Sequence, residues 1–407
     1  MSEKKPMLSV AEALDTLLAA VRPVVDTETV PTISAFGRVL AQAQVSQLHV
    51  PPMDNTQMDG YAVRAADCAG GQARLRVSQR IPAGHVGQAL EAGSAARIFT
   101  GAMIPAGADA VVMQEQCSLE KGDGVDTVVV NHVPASGEWI RRQGEDIRAG
   151  ATILAAGTRL RGQELGLAAS VGLANLPVIR KLRVAVFFTG DELAMPGEPL
   201  KPGAIYNSNR FTLTGLLQGM GCDITDYGIV PDSLQATRDT LRRAAQQHDL
   251  IITSGGVSVG EEDHIKPAVE AEGRLNMWQI AVKPGKPLAF GEVGSAFFLG
   301  LPGNPVASFV TFLLFVRPFM LRMQGVDDVT PLSYTVRADF AWTKPDRRNE
   351  FLRARMNRDG GLDLFPNQSS GVLTSTVWGD GLVDIAPGQT IAAGEPVRFI
   401  PFADLLS

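Results

Sequence analysis

The feature that most constrains the fold is an alternation of strand-like and helix-like segments that begins near residue 180. Short apolar runs predict four strands, RVAVFF, CDITDYGIV, DLIITSG and AFFLGLPG. Longer segments between or after them predict three helices, RFTLTGLLQGM, DSLQATRDTLRRAAQQ and PVASFVTFLLFVRPFM. Such alternation predicts a doubly wound, mainly parallel sheet, in which ligands bind outside the carboxyl ends of the strands.

The segments on either side of this α/β unit differ from it. Ser9 and Glu12 form a capping box before a helical apolar face, and Pro23 is expected to end that helix. Short β-like runs separated by turn residues occupy 46–146 and return after Pro331. We therefore predict a multidomain α/β plus β protein. Its domains are a discontinuous N-terminal linking domain, a β-rich inserted domain, the α/β domain and a small all-β, barrel-like C-terminal domain, at 1–45 with 147–178, 46–146, 179–328 and 329–407.

Composition limits the class of protein. The chain of 407 residues is 45% hydrophobic and 20% charged, which is typical of a soluble protein with several domains. A net charge of −6 argues against a nucleic-acid partner. Three dispersed cysteines without a C-x-x-C pattern favour a reducing compartment. The start has no apolar leader, and the longest apolar run, 306–316, is shorter than the roughly 20 residues of a membrane span. We expect a cytoplasmic protein without membrane contact.

A glycine-rich turn with carboxylates follows the third predicted strand. Gly255, Gly256 and Gly260 come first, and Glu261, Glu262 and Asp263 follow. Glycines let backbone N–H groups approach a ligand, and neighbouring carboxylates suit a phosphate bridged by a metal ion. The alternative interpretation is an ordinary strand-to-helix turn with solvated acids.

The other three predicted strands also end in polar or proline-rich loops. Because the carboxyl ends of parallel strands share one edge of a sheet, the four loops are expected to converge. LPGNP opens the most apolar helix, whose backbone donors could face an anion. Asp232 is equally well explained as a helix N-cap, and the prolines as stiffeners of a turn. The loop residues are Thr189, Gly190, Asp191 and Glu192; Pro231, Asp232 and Ser233; and Leu301, Pro302, Gly303, Asn304 and Pro305.

The KPGKP segment places Lys283 and Lys286 in one proline-fixed loop, which indicates an oxyanion clamp or, alternatively, a solvated basic turn. Several familiar motifs are missing: a Walker loop, a G-x-G-x-x-G fingerprint, an H-E-x-x-H pair and a G-x-S-x-G elbow. The residues alone therefore predict a soluble α/β enzyme that handles a phosphorylated ligand with a divalent cation. They do not specify the reaction.

Nine segments, in order along almost the whole chain, resemble the MoeA family, the molybdopterin molybdenumtransferases, which are related to the E domain of gephyrin. One such segment would be a weak signal, but nine in the family's order are specific. They are PPMDNTQMDGYAV, FTGAMIPAGADAVVMQE, GEDIRAG, FTGDEL, IYNSN, TSGGVSVGEEDH, KPGKPLAFG, GLPGNPVAS and EFLRA.

The resemblance implies a reaction and an assembly. Molybdate would be inserted into the dithiolene of adenylylated molybdopterin, with release of AMP and molybdenum cofactor, in a Mg²⁺-dependent step. The α/β domain would bind the pterin nucleotide, in an elongated subunit that works as a homodimer. Transient contact with the molybdopterin adenylyltransferase and with cofactor-accepting enzymes would follow. Two alternatives are a non-catalytic gephyrin-like scaffold and a pterin adenylyltransferase or nucleotide phosphohydrolase. The carboxylates at the strand ends argue against the first, and the flanking β domains against the second.

The resemblance also implies roles for individual residues. Glu192 and Asp263 would hold magnesium, and Lys283 and Arg353, with the hydroxyl of Ser375, would take molybdate or the pterin phosphate. Catalytic positions implied by the resemblance are Asp59, Thr100, Asp146, Glu192, Asp232 and Asp263. Substrate-binding positions, predicted from the loops or implied by the resemblance, are Thr189, Gly190, Ser208, Gly255, Gly256, Ser258, Lys283, Lys286, Pro302, Asn304, Pro305, Arg353 and Ser375.

Two further expectations follow from the resemblance. Several family members have lysine at the position of Gln279, Glu261 stands where aspartate is common, and NQSSG (367–371) replaces a more glycine-rich turn. Oxyanion affinity, or the choice between molybdate and tungstate, is therefore expected to differ. Asp59 and Thr100 lie in a different predicted domain from Glu192 and Asp263, so a site that uses all four is expected to form across a two-fold interface.

Overall fold

The computed structural model describes residues 7–256 and 264–406. Within these residues the strands form three six-stranded sheets and four two-stranded pairs. The α-helices are Val10–Ala19, Gly162–Ser170, Ser208–Gly219, Leu234–Ala245, Ile265–Glu272, Pro305–Thr311, Arg317–Met323, Thr374–Trp378 and Phe402–Leu405. A π-helical turn, Phe312–Val316, makes the sixth and seventh helices continuous.

The α/β unit is built on a mixed sheet. Its first four strands are parallel and its last two are antiparallel to their neighbours. The four predicted strands and three predicted helices are confirmed, whereas the two antiparallel strands and the helix Ile265–Glu272 were not predicted. From edge to edge the strands are Asp223–Ile229, Arg183–Phe188, Leu250–Ser254, Ala296–Leu301, Pro287–Val293 and Gly273–Gln279.

The strand order creates a switch point in the middle of this sheet. Arg183–Phe188 and Leu250–Ser254 are neighbours, but the strands that follow them in the parallel set lie on opposite sides. The loops after these two strands therefore diverge and leave a crevice. Phe188 is paired with Ser254, and Ser254 with Leu301, so the residues that follow these three strands lie side by side.

The N-terminal segments link the units. The predicted capping box is confirmed, because Ser9 Oγ accepts from the Glu12 N–H at 3.2 Å and Glu12 Oε2 accepts from the Ser9 N–H at 2.8 Å. The helix ends at Ala19, before Pro23, and its buried face joins the core of the α/β sheet. The chain then pairs with a later segment, since strand Thr27–Pro31 lies antiparallel to Asn175–Ile179 and Gln44–Val45 to Thr152–Leu154.

The two flanking β units have different architectures. The inserted unit is one mixed sheet with strands in the order Ala110–Met113, Gly60–Val63, Ser94–Ile98, Ala73–Ile81, Thr127–Val130 and Cys117–Glu120. Asn55–Thr56 and Ile140–Arg141 form a separate short antiparallel pair in this part of the chain. The C-terminal unit is a barrel, because its strands pair around a closed ring of Tyr334–Ala338, Pro396–Pro401, Gly381–Ile385, Asn349–Met356 and Gly361–Leu364. The predicted domain boundaries stay a prediction.

The α/β unit and the barrel are joined by a shared strand pairing. Val282–Lys283, which belongs to the α/β segment of the chain, runs parallel to the start of barrel strand Asn349–Met356. Lys283 is thereby in register with Glu350. The pairing places the KPGKP loop at the junction of the two units.

One helical stretch among the described residues, Pro305–Met323, is long and apolar enough to cross a membrane. Its most apolar window is 89% buried inside the molecule. Phe319 packs edge-on against Phe290 and Phe297, at ring-centroid distances of 5.6 and 5.0 Å. Packing in the core accounts for the apolar composition of this helix.

Candidate functional site

A cavity of about 740 Å³ lies at the carboxyl ends of the parallel strands, between the α/β unit and the barrel. Its floor consists of the loops after three neighbouring strands, and the barrel supplies one wall. The lining residues are Thr189, Glu192, Leu193, Ile205, Asn207, Asn209, Ser254, Gly255, Gly256, Lys283, Pro284, Gly285, Lys286, Pro287, Pro302, Gly303, Asn304, Ala307, Arg348, Gln368, Ser369 and Ser370. Of the four loops that the sequence predicts to converge, three line this cavity.

The turn after strand Arg183–Phe188 places Glu192 in the cavity lining. Gly190 has φ of +142°, and a Cβ on it would lie 2.5 Å from Glu192 Oε2. Only glycine therefore lets the carboxylate fold back over this turn. The Ile205 N–H donates to the Glu192 carbonyl at 2.8 Å, which fixes the backbone on the other side. Gly190 itself is not part of the lining, but it sets the position of a residue that is.

The neighbouring loops are held together by a polar network at the cavity floor. The amide of Asn209 donates to Ser254 Oγ at 2.8 Å and to the Gly303 carbonyl at 2.7 Å. Ser254 Oγ in turn donates to the Pro302 carbonyl at 2.9 Å. Gly255, with φ of +98°, follows at once, and a Cβ there would lie 3.1 Å from the Thr189 carbonyl. The close approach of two strand ends thus requires a glycine at this position.

The positively charged side chains of the lining lie where the cavity meets the barrel. Lys283 Nζ lies 2.7 Å from Glu350 Oε1 and 3.3 Å from Asp346 Oδ2. Glu350 is 1% exposed and also accepts from the Trp342 indole N–H at 2.9 Å. Hydrogen bonds from the Arg348 guanidinium hold the pKa of the Asp346 carboxyl far below its ordinary value. Within the described chain Lys286 forms no ion pair, so it is the lining lysine whose charge is available to a ligand.

The barrel wall is the 367–371 loop, and Arg353 supports it from beneath. Gln368 accepts from the Arg353 N–H at 2.9 Å and donates to its carbonyl at 3.0 Å. The Arg353 side chain is fully buried and donates to Ser375 Oγ, the Phe351 carbonyl and the Ser369 carbonyl, at 3.1, 3.2 and 3.4 Å. Burial lowers the pKa of the Arg353 guanidinium to about 10. The arginine therefore stays charged at neutral pH, and no carboxylate of the described residues pairs with it.

The structure places several predicted binding residues beside the cavity rather than in its lining. Pro305 begins the helix behind the floor, and Ser208 is the first residue of helix Ser208–Gly219. Arg353 and Ser375 are buried behind the wall that Ser369 and Ser370 present. Direct ligand contact by these four side chains stays a prediction. Arg353 supports the lining through its hydrogen bond to the Ser369 carbonyl, and Ser375 Oγ accepts from Arg353.

Asp232 differs most from its expected position. The adjacent Ser233, not Asp232, is the N-cap of helix Leu234–Ala245, since Ser233 Oγ accepts from the Ala236 N–H at 3.3 Å. The interpretation of Asp232 as the N-cap is therefore wrong. The preceding strand is the outermost of the sheet, so its loop lies one strand away from the switch point, and Asp232 is not part of the lining.

The catalytic candidates outside the α/β unit lie apart from this cavity. Asp59 Oδ1 accepts from the Thr100 hydroxyl at 2.7 Å and from its N–H at 2.8 Å, and these bonds lower the pKa of the Asp59 carboxyl. Asp146 is exposed, with its N–H bonded to the Val50 carbonyl at 3.0 Å. None of the three lines the cavity. Gln279 is also exposed and outside the lining, at the end of an antiparallel strand.

Ser258, and Gly260, Glu261, Glu262 and Asp263 of the predicted acidic turn, lie outside the described residues. Glu192 is therefore the member of the predicted magnesium pair that can be placed. Among residues 7–256 and 264–406 no group of three or more His, Cys, Asp or Glu side chains could hold a metal ion by itself. Within the described lining, Glu192 is the carboxylate that could contribute to a cation site.

Sequence reasoning missed several lining residues. Asn207 and Asn209 flank Ser208 within the IYNSN segment, and the available signal was the polar start of a helix that follows the first loop of the predicted rim. Ser254 could have been predicted in a similar way, because it is the polar residue that ends the apolar strand Leu250–Ser254. Arg348, Gln368 and Ser369 lie in connecting segments of the C-terminal barrel unit, so nothing local in the sequence indicated them.

The fold and the cavity define a multidomain α/β protein with a ligand site between its central sheet and a C-terminal barrel. Family models match the chain in three stretches: the MoeA N-terminal region (domain I and II) over 8–172, a probable molybdopterin binding domain over 185–322 and the MoeA C-terminal region (domain IV) over 335–402. The chain thus has the architecture of MoeA along its whole length.

Individual relatives agree. The chain is 39% identical to the molybdopterin molybdenumtransferase of Haemophilus influenzae, over 98% of this chain and 100% of that protein. It is 36% identical to that of Nostoc, over 91% and 88%. The crystal structure of the molybdopterin biosynthesis MoeA protein of Pyrococcus horikoshii superposes with a TM-score of 0.84 at 30% identity, over 97% of this chain and 100% of that one. The protein belongs to the MoeA family of molybdopterin molybdenumtransferases.

Proposed function

We propose that the protein is a molybdopterin molybdenumtransferase that inserts molybdate into adenylylated molybdopterin and releases AMP and molybdenum cofactor. The full-length likeness to proteins with this name supports the transferase over a scaffold or an adenylyltransferase. The observation on which the proposal rests is the cavity at the switch point, where cationic groups meet a carboxylate and a wall from the barrel. A nucleotide-phosphate substrate and an oxyanion both require such a site.

The charge distribution fits two anionic reactants. Lys286 is free of ion pairs within the described chain, and the buried guanidinium of Arg353 has only neutral acceptors there. A buried cation without a counter-charge costs free energy, which an arriving anion would recover. Lys286 and, through Ser369 and Ser375, Arg353 would thus attract and orient the oxyanion or the substrate phosphates. Cleavage of the phosphate bond then depends mainly on positioning and charge neutralisation.

The described residues fit a magnesium site in which the substrate phosphates supply part of the ligands. Mg²⁺ is usually held in proteins by one or two carboxylates together with substrate phosphates and water. Glu192 is the carboxylate that the described lining supplies, and Asp263 is the second ligand that the sequence predicts. A bound magnesium ion would neutralise charge on the phosphates. Glu192 would hold it at the end of the first parallel strand, fixed by the turn at Gly190.

We further propose that the active form is a homodimer and that Asp59 and Thr100 of the second subunit complete the site. The hydrogen-bonded pair of these residues lies on the inserted sheet, outside the cavity lining of its own chain. A two-fold assembly would let each chain serve the cavity of the other. Transient contact with a molybdopterin adenylyltransferase and with cofactor-accepting enzymes, and a cytoplasmic location, complete the proposal. The three free cysteines support the location.

The test is a reconstituted reaction. The purified protein is incubated with adenylylated molybdopterin, magnesium and molybdate, and both AMP release and molybdenum cofactor are measured. The proposal predicts that the two products form together and that both depend on molybdate. Release of AMP without molybdate would instead indicate a nucleotide hydrolase, and absence of turnover would indicate a scaffold.

A further inference from the structure

Two residues of the cavity lining each have a buried polar atom without a hydrogen-bond partner among the described residues. Asn207 is 2% exposed, and its Nδ2 donor has no hydrogen-bond partner among the described residues. Asn209, two positions along, has a buried Oδ1 acceptor that is likewise unpaired there. Both residues line the cavity. Because both atoms are also shielded from water, leaving them unpaired costs about 1–3 kcal/mol each.

The orientation of each amide is fixed by its other end. Asn207 is the N-cap of helix Ser208–Gly219, and its Oδ1 accepts from the Arg210 N–H at 3.1 Å. The Nδ2 of Asn209 is committed to Ser254 Oγ and to the Gly303 carbonyl. Rotating either amide by 180° would break these bonds, so the unpaired atoms are a donor on Asn207 and an acceptor on Asn209.

We propose that Asn207 and Asn209 recognise the edge of a fused nitrogen heterocycle, where a ring acceptor lies near an exocyclic or ring N–H donor. Asn207 donates to the ring acceptor, and Asn209 accepts from the N–H. The two rings of the substrate implied by the proposed function, adenine and the 2-amino-4-oxo pterin, both present such an edge. The inference rests on the proposed function and adds to it the residues that select the heterocycle.

The arrangement is suited to selectivity. A site whose buried polar groups are prepared for a hydrogen-bonding edge rejects ligands that leave those groups unpaired. Asn207 is held by helix capping and Asn209 by the loop after the fourth parallel strand, so neither must be ordered when the ligand arrives. Inorganic phosphate lacks such an edge and is therefore expected to gain nothing from the pair.

The test uses Asn207→Ser, because serine retains N-capping but removes the amide donor without adding charge. Binding of AMP, a 2-amino-4-oxo pterin and inorganic phosphate to the intact protein is measured by calorimetry. The matched control is Asn276→Ser, the same substitution at an exposed position of an edge strand. We expect Asn207→Ser to weaken binding of the recognised heterocycle about 5- to 30-fold, the effect of one buried hydrogen bond, and to leave phosphate and the control unchanged.

The outcomes separate the two rings. Weaker binding of AMP alone assigns the pair to adenine, and weaker binding of the pterin alone assigns it to the pterin. Unchanged binding of both, equal weakening of phosphate, or a wild-type protein that binds phosphate but neither ring overturns the inference. Cofactor formation by the wild type is measured alongside. If it fails, the proposed function fails, whereas normal turnover with an unchanged KM in Asn207→Ser defeats only the heterocycle inference.

Discussion

Lys283 and Lys286 lie three residues apart, yet they have different electrostatic surroundings. Lys283 is the counter-ion of Glu350, a carboxylate that is 1% exposed. Lys286 lines the same cavity without an ion pair among the described residues. A buried carboxylate that loses its partner destabilises the fold, whereas an unpaired surface-facing lysine can be removed without that penalty. Lys283 is therefore expected to stabilise the fold as well as to contribute charge to the cavity. Lys286 is expected mainly to contribute charge.

Lys286→Ala should raise the molybdate concentration needed for half-maximal turnover by about 10-fold or more, the effect of one charge-assisted hydrogen bond, with an unchanged melting temperature. Lys283→Ala should also reduce the free energy of unfolding, by about 3 kcal/mol, because it strands Glu350. Molybdate titrations and thermal unfolding measure the two effects. Lys121→Ala serves as the control, since it removes a lysine that is exposed and outside the lining. Equal behaviour of the two lysine variants would contradict the distinction.

The elements that build the site were predictable to different degrees. The parallel strands and their helices have uniform apolar periods, so the sequence predicts them and the rim where they end. The antiparallel strand Pro287–Val293 contains Pro287 and Gly291 and follows the KPGKP loop, so its local pattern resembles a turn. Pairing between distant segments, such as Lys283 with Glu350, depends on tertiary register and cannot be derived from either segment alone. The barrel wall of the cavity was missed for this reason.

The buried Arg353 side chain supports the 367–371 loop through a hydrogen bond to the Ser369 carbonyl at 3.4 Å. Arg353→Lys should weaken the loop, because an ammonium group cannot reach Ser375, Phe351 and Ser369 together as the guanidinium does. We expect a loss of about 1–3 kcal/mol in unfolding free energy and at least a 10-fold fall in kcat/KM. Arg355→Lys, on the same strand but stacked on Trp378 at the surface, is the control. If the two variants unfold and turn over alike, Arg353 does not support the loop.

The connection that leads into barrel strand Asn349–Met356 gives a pH-dependent prediction. The pKa of Asp346 is lowered from its ordinary 3.8, chiefly by Arg348 and further by Lys283. Its ionised form therefore stabilises the fold above pH 4, and this contribution is lost as the pH falls below 3.8 towards the folded pKa. Asp346→Asn should cost about 1 kcal/mol at pH 7, and the difference from wild type should shrink below pH 4. Denaturant unfolding across this range measures it.

Asp239→Asn is the matched control for this experiment, because Asp239 forms an exposed i,i+3 pair with Arg242. Its difference from wild type should be small at every pH. A difference for Asp346→Asn that stays constant, or grows, between pH 5 and pH 3 would contradict the assignment.

At the scale of the whole molecule, one chain contains two separate groups of candidate residues. Glu192, the lysines and the barrel wall surround the cavity, while Asp59 and Thr100 lie on the inserted sheet. The proposed two-fold assembly brings them together without any change within a chain, and it makes a quantitative prediction about mixed dimers.

Asp59→Asn and Glu192→Gln are each expected to be inactive as homodimers. After subunit exchange about half of the dimers are mixed, and each mixed dimer has one site with both lesions and one wholly wild-type site. Roughly a quarter of all sites should therefore recover activity. AMP release by the mixture measures the recovery, and exchange is verified independently with labelled subunits. A mixture that stays inactive after proven exchange would show that each site is built within one chain.

Metal transfer is proposed to take place in the cavity at the carboxyl ends of the parallel strands, where Glu192 would hold magnesium at the substrate phosphates. The most direct test compares molybdate-dependent AMP release by the wild type, by Glu192→Gln and by Asp191→Asn, which changes the adjacent exposed carboxylate outside the lining. We predict that Glu192→Gln lowers kcat about 10²-fold or more at saturating magnesium with its fold intact, while Asp191→Asn stays near wild type. Near-normal turnover by Glu192→Gln, or an equal loss in both variants, would contradict the claim.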